Sequence, residues 1–194
     1  MSKIKVILKK TLTNPPILYV ISRYATYIIQ FINSLFIAVY LGPYYLGIWG
    51  FINLILGYLS QINFGISHSV NVIISVDKDK EEYVEKVIGN GLTMIMFLCI
   101  LVFIFFLFNY AGIISIGVKY DFKSFSILVC LIAITSHFNS LFSNIYRVFG
   151  KIFEIALNQS LLPFLIILII IFFRGHYLLW ALVIVNIISV VIYN

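Results

Sequence analysis

Long apolar runs broken by short polar intervals set the layout of this chain, and their length predicts helices that cross a lipid bilayer, which needs about 20 apolar residues per crossing. The first run extends from about Ile17 to Leu41 and is entered through Pro15-Pro16, which suit a first helical turn because proline has no N–H to satisfy there. Gly42-Pro43 predicts a tight turn, and a second run follows from Tyr45 to about Val76 with Gly57 and Gly65 as bend points. Further spans are expected over about 87–108, 124–148, 154–173 and 178–194, with Pro163 kinking the fifth. Between the second and third, eight of the ten residues from Asp77 to Lys86 are Asp, Glu or Lys, which predicts an aqueous loop with a solvated helical extension. The expected fold is an all-α integral membrane protein of about six transmembrane helices in a single domain over residues 1–194.

Composition strengthens that picture. Of the 194 residues 62% are hydrophobic and 10% are charged, against about 25% charged in a soluble domain, so the chain has too little polar surface for a water-soluble globule. The net charge of +6 is distributed by loop rather than along a nucleic-acid-binding stripe. Lys3, Lys5, Lys9, Lys10, Lys78, Lys80, Lys86, Arg147 and Lys151 fall on one side of the predicted spans, and Lys119, Lys123 and Arg174 on the other. Cytoplasmic loops carry the excess of Lys and Arg, so the N-terminus is expected in the cytoplasm and the Gly42-Pro43 turn outside. The start MSKIKVILKK lacks the features of a cleaved signal peptide and reads as an interfacial segment on membrane lipids. Cys99 and Cys130 lie inside apolar runs and fit neither a metal knuckle nor a CxxC pair.

Polar residues inside spans are costly and usually face a protein interior or a water-filled cavity. At 100° per residue, Arg23, Tyr27, Gln30 and Ser34 share a narrow sector of the first span, opposite Ile21, Ile28, Ile32, Leu35 and Val39. Gly50, Gly57, Gln61, Phe64, His68 and Asn71 form a second stripe, and Ser136, Ser140, Ser143 and Arg147 a third, with Asn144 beside it. The fifth span opens with Glu154, Asn158 and Gln159. As cavity lining, these stripes would hold an anionic, hydroxyl-rich substrate on Arg23, Tyr27, Gln30, Ser34, Gln61, His68, Asn71, Ser140, Asn144 and Arg147. As plain structure, the small polar residues glue helices together, Arg147 snorkels to headgroups, and His68 is a packing residue rather than a proton relay. Glu154 sits at headgroup level.

No HExxH, GxSxG, CxxC or glycine-rich phosphate loop is present. Neither an enzyme, a metal site nor a cofactor is expected, and the Asn158-Gln159-Ser160 sequon is a chance match at a cytoplasmic edge.

The segment Tyr40-Leu41-Gly42-Pro43-Tyr44-Tyr45-Leu46-Gly47-Ile48-Trp49, followed by a long helix ending in Asn63-Phe64-Gly65-Ile66, resembles the N-terminal region of the Wzx-type polysaccharide-repeat-unit flippases, which serve O-antigen and capsule assembly within the multidrug/oligosaccharidyl-lipid/polysaccharide exporter superfamily. The resemblance implies one six-helix bundle of a two-bundle transporter in a bacterial cytoplasmic membrane. Such a transporter moves an undecaprenyl-pyrophosphate-linked oligosaccharide to the outer leaflet by alternating access. It also implies that Arg23 belongs to a cationic cavity, and that a second half-transporter or a second copy supplies the other wall. Asn63 stands where an acidic residue is frequent in that family. Two competing expectations are a six-span substrate-capture subunit of a vitamin or metal importer, favoured by size, and a non-functional or truncated membrane fragment.

Overall fold

The computed structural model describes residues 15–120 and 122–193; the lysine-rich start, Asp121 and Asn194 lie outside them. Every regular element among the described residues is helical: α1 (Pro15–Gln61), α2 (Ile66–Val76), α3 (Glu81–Tyr110), a 3₁₀ turn (Val118–Tyr120), α4 (Phe122–Val148), α5 (Ile152–Phe172) and α6 (Gly175–Tyr193). Four helical stretches are long and apolar enough to cross a membrane: Tyr19–Gln61, Glu81–Tyr110, Phe122–Val148 and Ile152–Phe172. Two shorter apolar helices, Ile66–Val76 and Gly175–Ser189, accompany them.

A straight helix as long as α1 would measure about 70 Å, more than twice the hydrocarbon thickness, and the chain avoids this at a single residue. Gly42 has φ 73° and ψ 168°, a conformation open to glycine and strained for any side chain. Pro43 then starts the next arm in the first-turn position that tolerates it. Contacts on either side give the geometry. Along the first arm (15–41), Arg23 meets Gln159, Asn33 meets Pro163 and Tyr40 meets Arg174, so this arm runs parallel to α5. Beyond Gly42, Phe51 meets Phe122 and Asn71 meets Asn144, so the second arm (43–61) and α2 run parallel to α4. Because α4 and α5 are joined by the turn at 149–151 and pair Asn139 with Asn158, they are antiparallel. Gly42 therefore reverses the chain, and the expected turn falls there.

The second predicted run is not one helix. It stops at Gln61, passes through a turn at 62–65 in which Phe64 (φ 46°) and Gly65 (φ 76°) are left-handed, and resumes at Ile66. Ile62, Phe64 and Ile66 donate to carbonyls three residues back in this turn. Gly65 is the actual break, whereas Gly57 stays helical. Helix α3 starts at Glu81, six residues earlier than the predicted span, as the solvated extension expected of the charged segment. Glu81 and Glu82 in its first turn suit the positive end of the helix dipole. The fifth helix runs from Ile152 to Phe172 with Pro163 inside it, as the sequence places it. The carbonyl of Pro163 accepts a hydrogen bond from Asn33 Nδ2 at 2.8 Å.

The interior divides in two. Toward the Gly42 end, Leu41, Ile52, Phe122, Val129, Leu178, Leu179, Leu182 and Val183 are buried and packed with Trp49, Phe51 and Trp180. Toward the end carrying the charged 77–86 loop, Val70, Ile74, Val84, Ile95, Leu141 and Ile145 form a second cluster. Gly91 admits the close approach of α2 to α3 there, since a Cβ would fall 2.7 Å from Val70 Cγ2.

Candidate functional site

Helix α4 is two-sided. Val129, Ala133, His137, Leu141 and Ile145 are buried against its neighbours, while Ser136, Asn139, Ser140, Ser143, Asn144 and Arg147 recur at three- and four-residue spacings and so fall on an adjoining face. The reversal at Gly150 (φ 73°) brings the start of α5 back along that face. Together with Asn158, Gln159 and Leu162 of α5 and Ser189 of α6, these residues line a cleft of ≈ 380 Å³ in the half of the bundle nearest the charged loop.

The walls are cross-linked by side-chain hydrogen bonds. Asn139 Oδ1 accepts from Asn158 Nδ2 at 2.6 Å and from Ser143 Oγ at 3.3 Å, tying α4 to α5. Asn71 Nδ2 donates to the Asn144 carbonyl at 2.7 Å, tying α2 to α4. Asn144 Nδ2 donates to its own helix at Ser140 O, 2.9 Å away. Arg23 reaches the edge of this group from α1. Its Nη1 donates to Gln159 Oε1, its Nε donates to Tyr27 Oη at 3.0 Å, and its guanidinium carbon lies 5.3 Å from the Tyr27 ring centroid. The cleft thus presents hydroxyls, amides and the Arg147 guanidinium, with a second guanidinium bonded to its wall. Among the described residues no acidic side chain lines it.

The ten sequence candidates separate. Ser140, Asn144 and Arg147 line the cleft, Asn71 is bonded to Asn144, and Arg23 with Tyr27 is joined to it through Gln159. Gln30, Ser34, Gln61 and His68 are exposed on the outside of the bundle, and the Ser34 hydroxyl donates to Phe31 O on its own helix. The Gly50–Gly57–Gln61 stripe points away from the buried Ile48, Ile52 and Leu59 of the same arm. A Cβ at Gly50 or Gly57 would meet nothing within 4 Å.

Sequence reasoning missed several polar residues. Asn33, buried between α1 and α5, has Oδ1 without a hydrogen-bond partner among the described residues, as do buried Asn63 Oδ1, Asn109 Nδ2 and His137 Nε2. Thr26, Asn33, Ile37 and Leu41 form the packed face of the first arm, so the seven-residue step from Thr26 to Asn33 was the available signal. Asn139, which links both walls, was missed because it lies just beside the serine stripe.

Compared with known proteins, the chain matches no family model, no curated protein and no solved structure.

Proposed function

We propose that this chain is one bundle of a lipid-linked oligosaccharide flippase, with six membrane spans and a cytoplasmic N-terminus in a bacterial inner membrane. The observation that carries the proposal is the polar cleft between α4, α5 and α6 in an otherwise apolar helical bundle, hydroxyl- and amide-lined and served by Arg147 and Arg23. Sugars need many exchangeable hydrogen-bond partners, and a pyrophosphate needs a guanidinium, which binds it bidentately. The YLGP turn at 40–43 and the Gly42 reversal agree with the same reading. The outward Gly50–Gly57 stripe supports a second bundle or a second copy as the opposite wall, because small residues let helices approach closely. Alternating access requires two such bundles around a shared site.

Undecaprenyl pyrophosphate offered to the protein in lipid nanodiscs should bind, and Arg23→Ala and Arg147→Ala should each weaken binding by about tenfold, as expected for a lost charged hydrogen bond of about 1.5 kcal/mol. Binding no tighter than that of phosphatidylglycerol would refute the reading. A reporter active only outside the cytoplasm, fused after Tyr44, should be active; silence would overturn the orientation.

A further inference from the structure

The opposite end of the bundle carries a second hollow of a different kind. Tyr44 and Tyr45, at the start of the second arm, Ser124 and Phe125 of α4, and His176 and Trp180 of α6 surround ≈ 390 Å³. That is the size range of small-molecule sites, about 300–1,000 Å³. The rings are set at steep angles to one another: Tyr44 and Tyr45 are 5.2 Å apart at 76°, Tyr45 and His176 5.6 Å at 52°, His176 and Trp180 6.2 Å at 72°. Phe125 supports Trp180 from below at 4.6 Å.

Tyrosine and tryptophan commonly ring a membrane protein at the interface, but a belt residue needs only lipid beside it. These side chains come from three separate helices and converge on one hollow with polar atoms in its wall. Tyr44, Tyr45, His176 and Trp180 are each an apolar plate with a polar group at its edge, which suits a pyranose: the ring's C–H face lies on the plate and its hydroxyls meet hydroxyl and imidazole groups at the rim. Charge narrows the ligand further. Arg174 lies over Tyr40 and Lys123 over Tyr110 at this end, and among the described residues no acidic side chain lines the hollow. A cation is therefore disfavoured, whereas a neutral or acidic sugar is not.

We propose that this aromatic hollow is a saccharide-binding site. It deepens the flippase reading and rests on it for the glycan's origin: the polar cleft takes the pyrophosphate-bearing end at one face of the membrane, and the aromatic hollow holds a sugar unit at the other.

Trp49 and Trp180 are the only tryptophans in the chain, so Trp49→Phe leaves Trp180 as the sole reporter. In nanodiscs, the emission of this variant should change saturably on titration with glucose, N-acetylglucosamine or glucuronic acid. Adding Tyr44→Ala or His176→Ala, both at exposed positions, should weaken that response by about tenfold, the effect of losing an interaction a little above 1 kcal/mol. No saturable change with any of the three sugars, or one with choline alone, would overturn the site. Undecaprenyl pyrophosphate binding, measured on the same sample, separates the two proposals. Lipid binding without sugar binding removes this site and leaves the flippase reading standing, and sugar binding without lipid binding does the reverse.

Discussion

The two ends of the bundle are built on opposite principles. At the Gly42 end, Phe51 stacks on Tyr120 at 4.8 Å and meets Phe122 edge-on at 5.3 Å, while Leu178, Leu179, Leu182 and Val183 are fully buried beneath. At the charged-loop end, α4 and α5 are joined by the Asn139–Asn158 hydrogen bond, and asparagines and serines line the cleft. In lipid, burying a leucine gains little over leaving it among acyl chains, so dense packing must hold the first end and interhelical hydrogen bonds the second. The difference teaches that the core beneath one end is closed by packing in this conformation, and that the other has polar groups whose hydrogen bonds can be exchanged for those of a ligand or water.

Packing should therefore be the larger effect to break. Gly117 has φ 64°, and a Cβ there would lie 2.4 Å from Phe51 Cε1 and 2.8 Å from Phe122 Cβ. Gly117→Ala is expected to destabilise the protein by about 3 kcal/mol, from a strained backbone and an overpacked core together, seen as an earlier thermal transition in detergent. At the cleft end, Asn158→Leu should cost only about 1 kcal/mol, the scale of a hydrogen bond between membrane helices. Combined with Asn139→Leu it should cost less than the sum, because the surviving partner is no longer left unpaired. Equal costs at Gly117 and Asn158 would erase the distinction between the two ends.

The smallest effect lies in the charged loop. Lys80 Nζ bonds Asp77 Oδ1 at 2.7 Å, and this contact holds the ammonium above its ordinary value of 10.5. A raised value means the contribution is complete below 10.5 and is lost only as pH rises past it, so stability between pH 7 and pH 9 should not change through this group. The pair is exposed, and exposed ion pairs contribute little. Lys80→Gln should melt with the parent protein.

How much of this was legible in the sequence differs by kind of signal. The all-helical fold, the reversal at Gly42 and the polar break at 77–80 with its charged helical extension follow from hydropathy, glycine-proline chemistry and charge, whereas the second predicted run is broken in two and four helices, not six, are long and apolar enough to span a membrane. The angular stripes identified a polar face, but not what that face meets. In water a helix's apolar face turns inward. In lipid both faces can be apolar, so the sorting signal is lost: Ile28 and Val39 of the first arm are exposed, Ile52 and Leu59 of the second are buried, and both sets lie opposite a polar stripe. The Ser136–Arg147 face proved to line a cleft, the Gly50–Gln61 face points outward, and Asn33 became visible only through its contact with Pro163. The break at 62–65 was hinted at by Gly65, yet the left-handed Phe64 before it had no residue-type signal.

Water access is the most direct test of the central claim, a polar cleft open at the charged-loop end and sealed at the other. With Cys99 and Cys130 replaced by alanine, Ser140→Cys and Ser126→Cys should be compared for labelling by a membrane-impermeant maleimide. Ser140 lines the cleft, and Ser126 is fully buried beneath the aromatic end. The account predicts rapid labelling at position 140 from the side bearing the 77–86 loop and none at 126 from either side. Equal inertness of the two positions would contradict it.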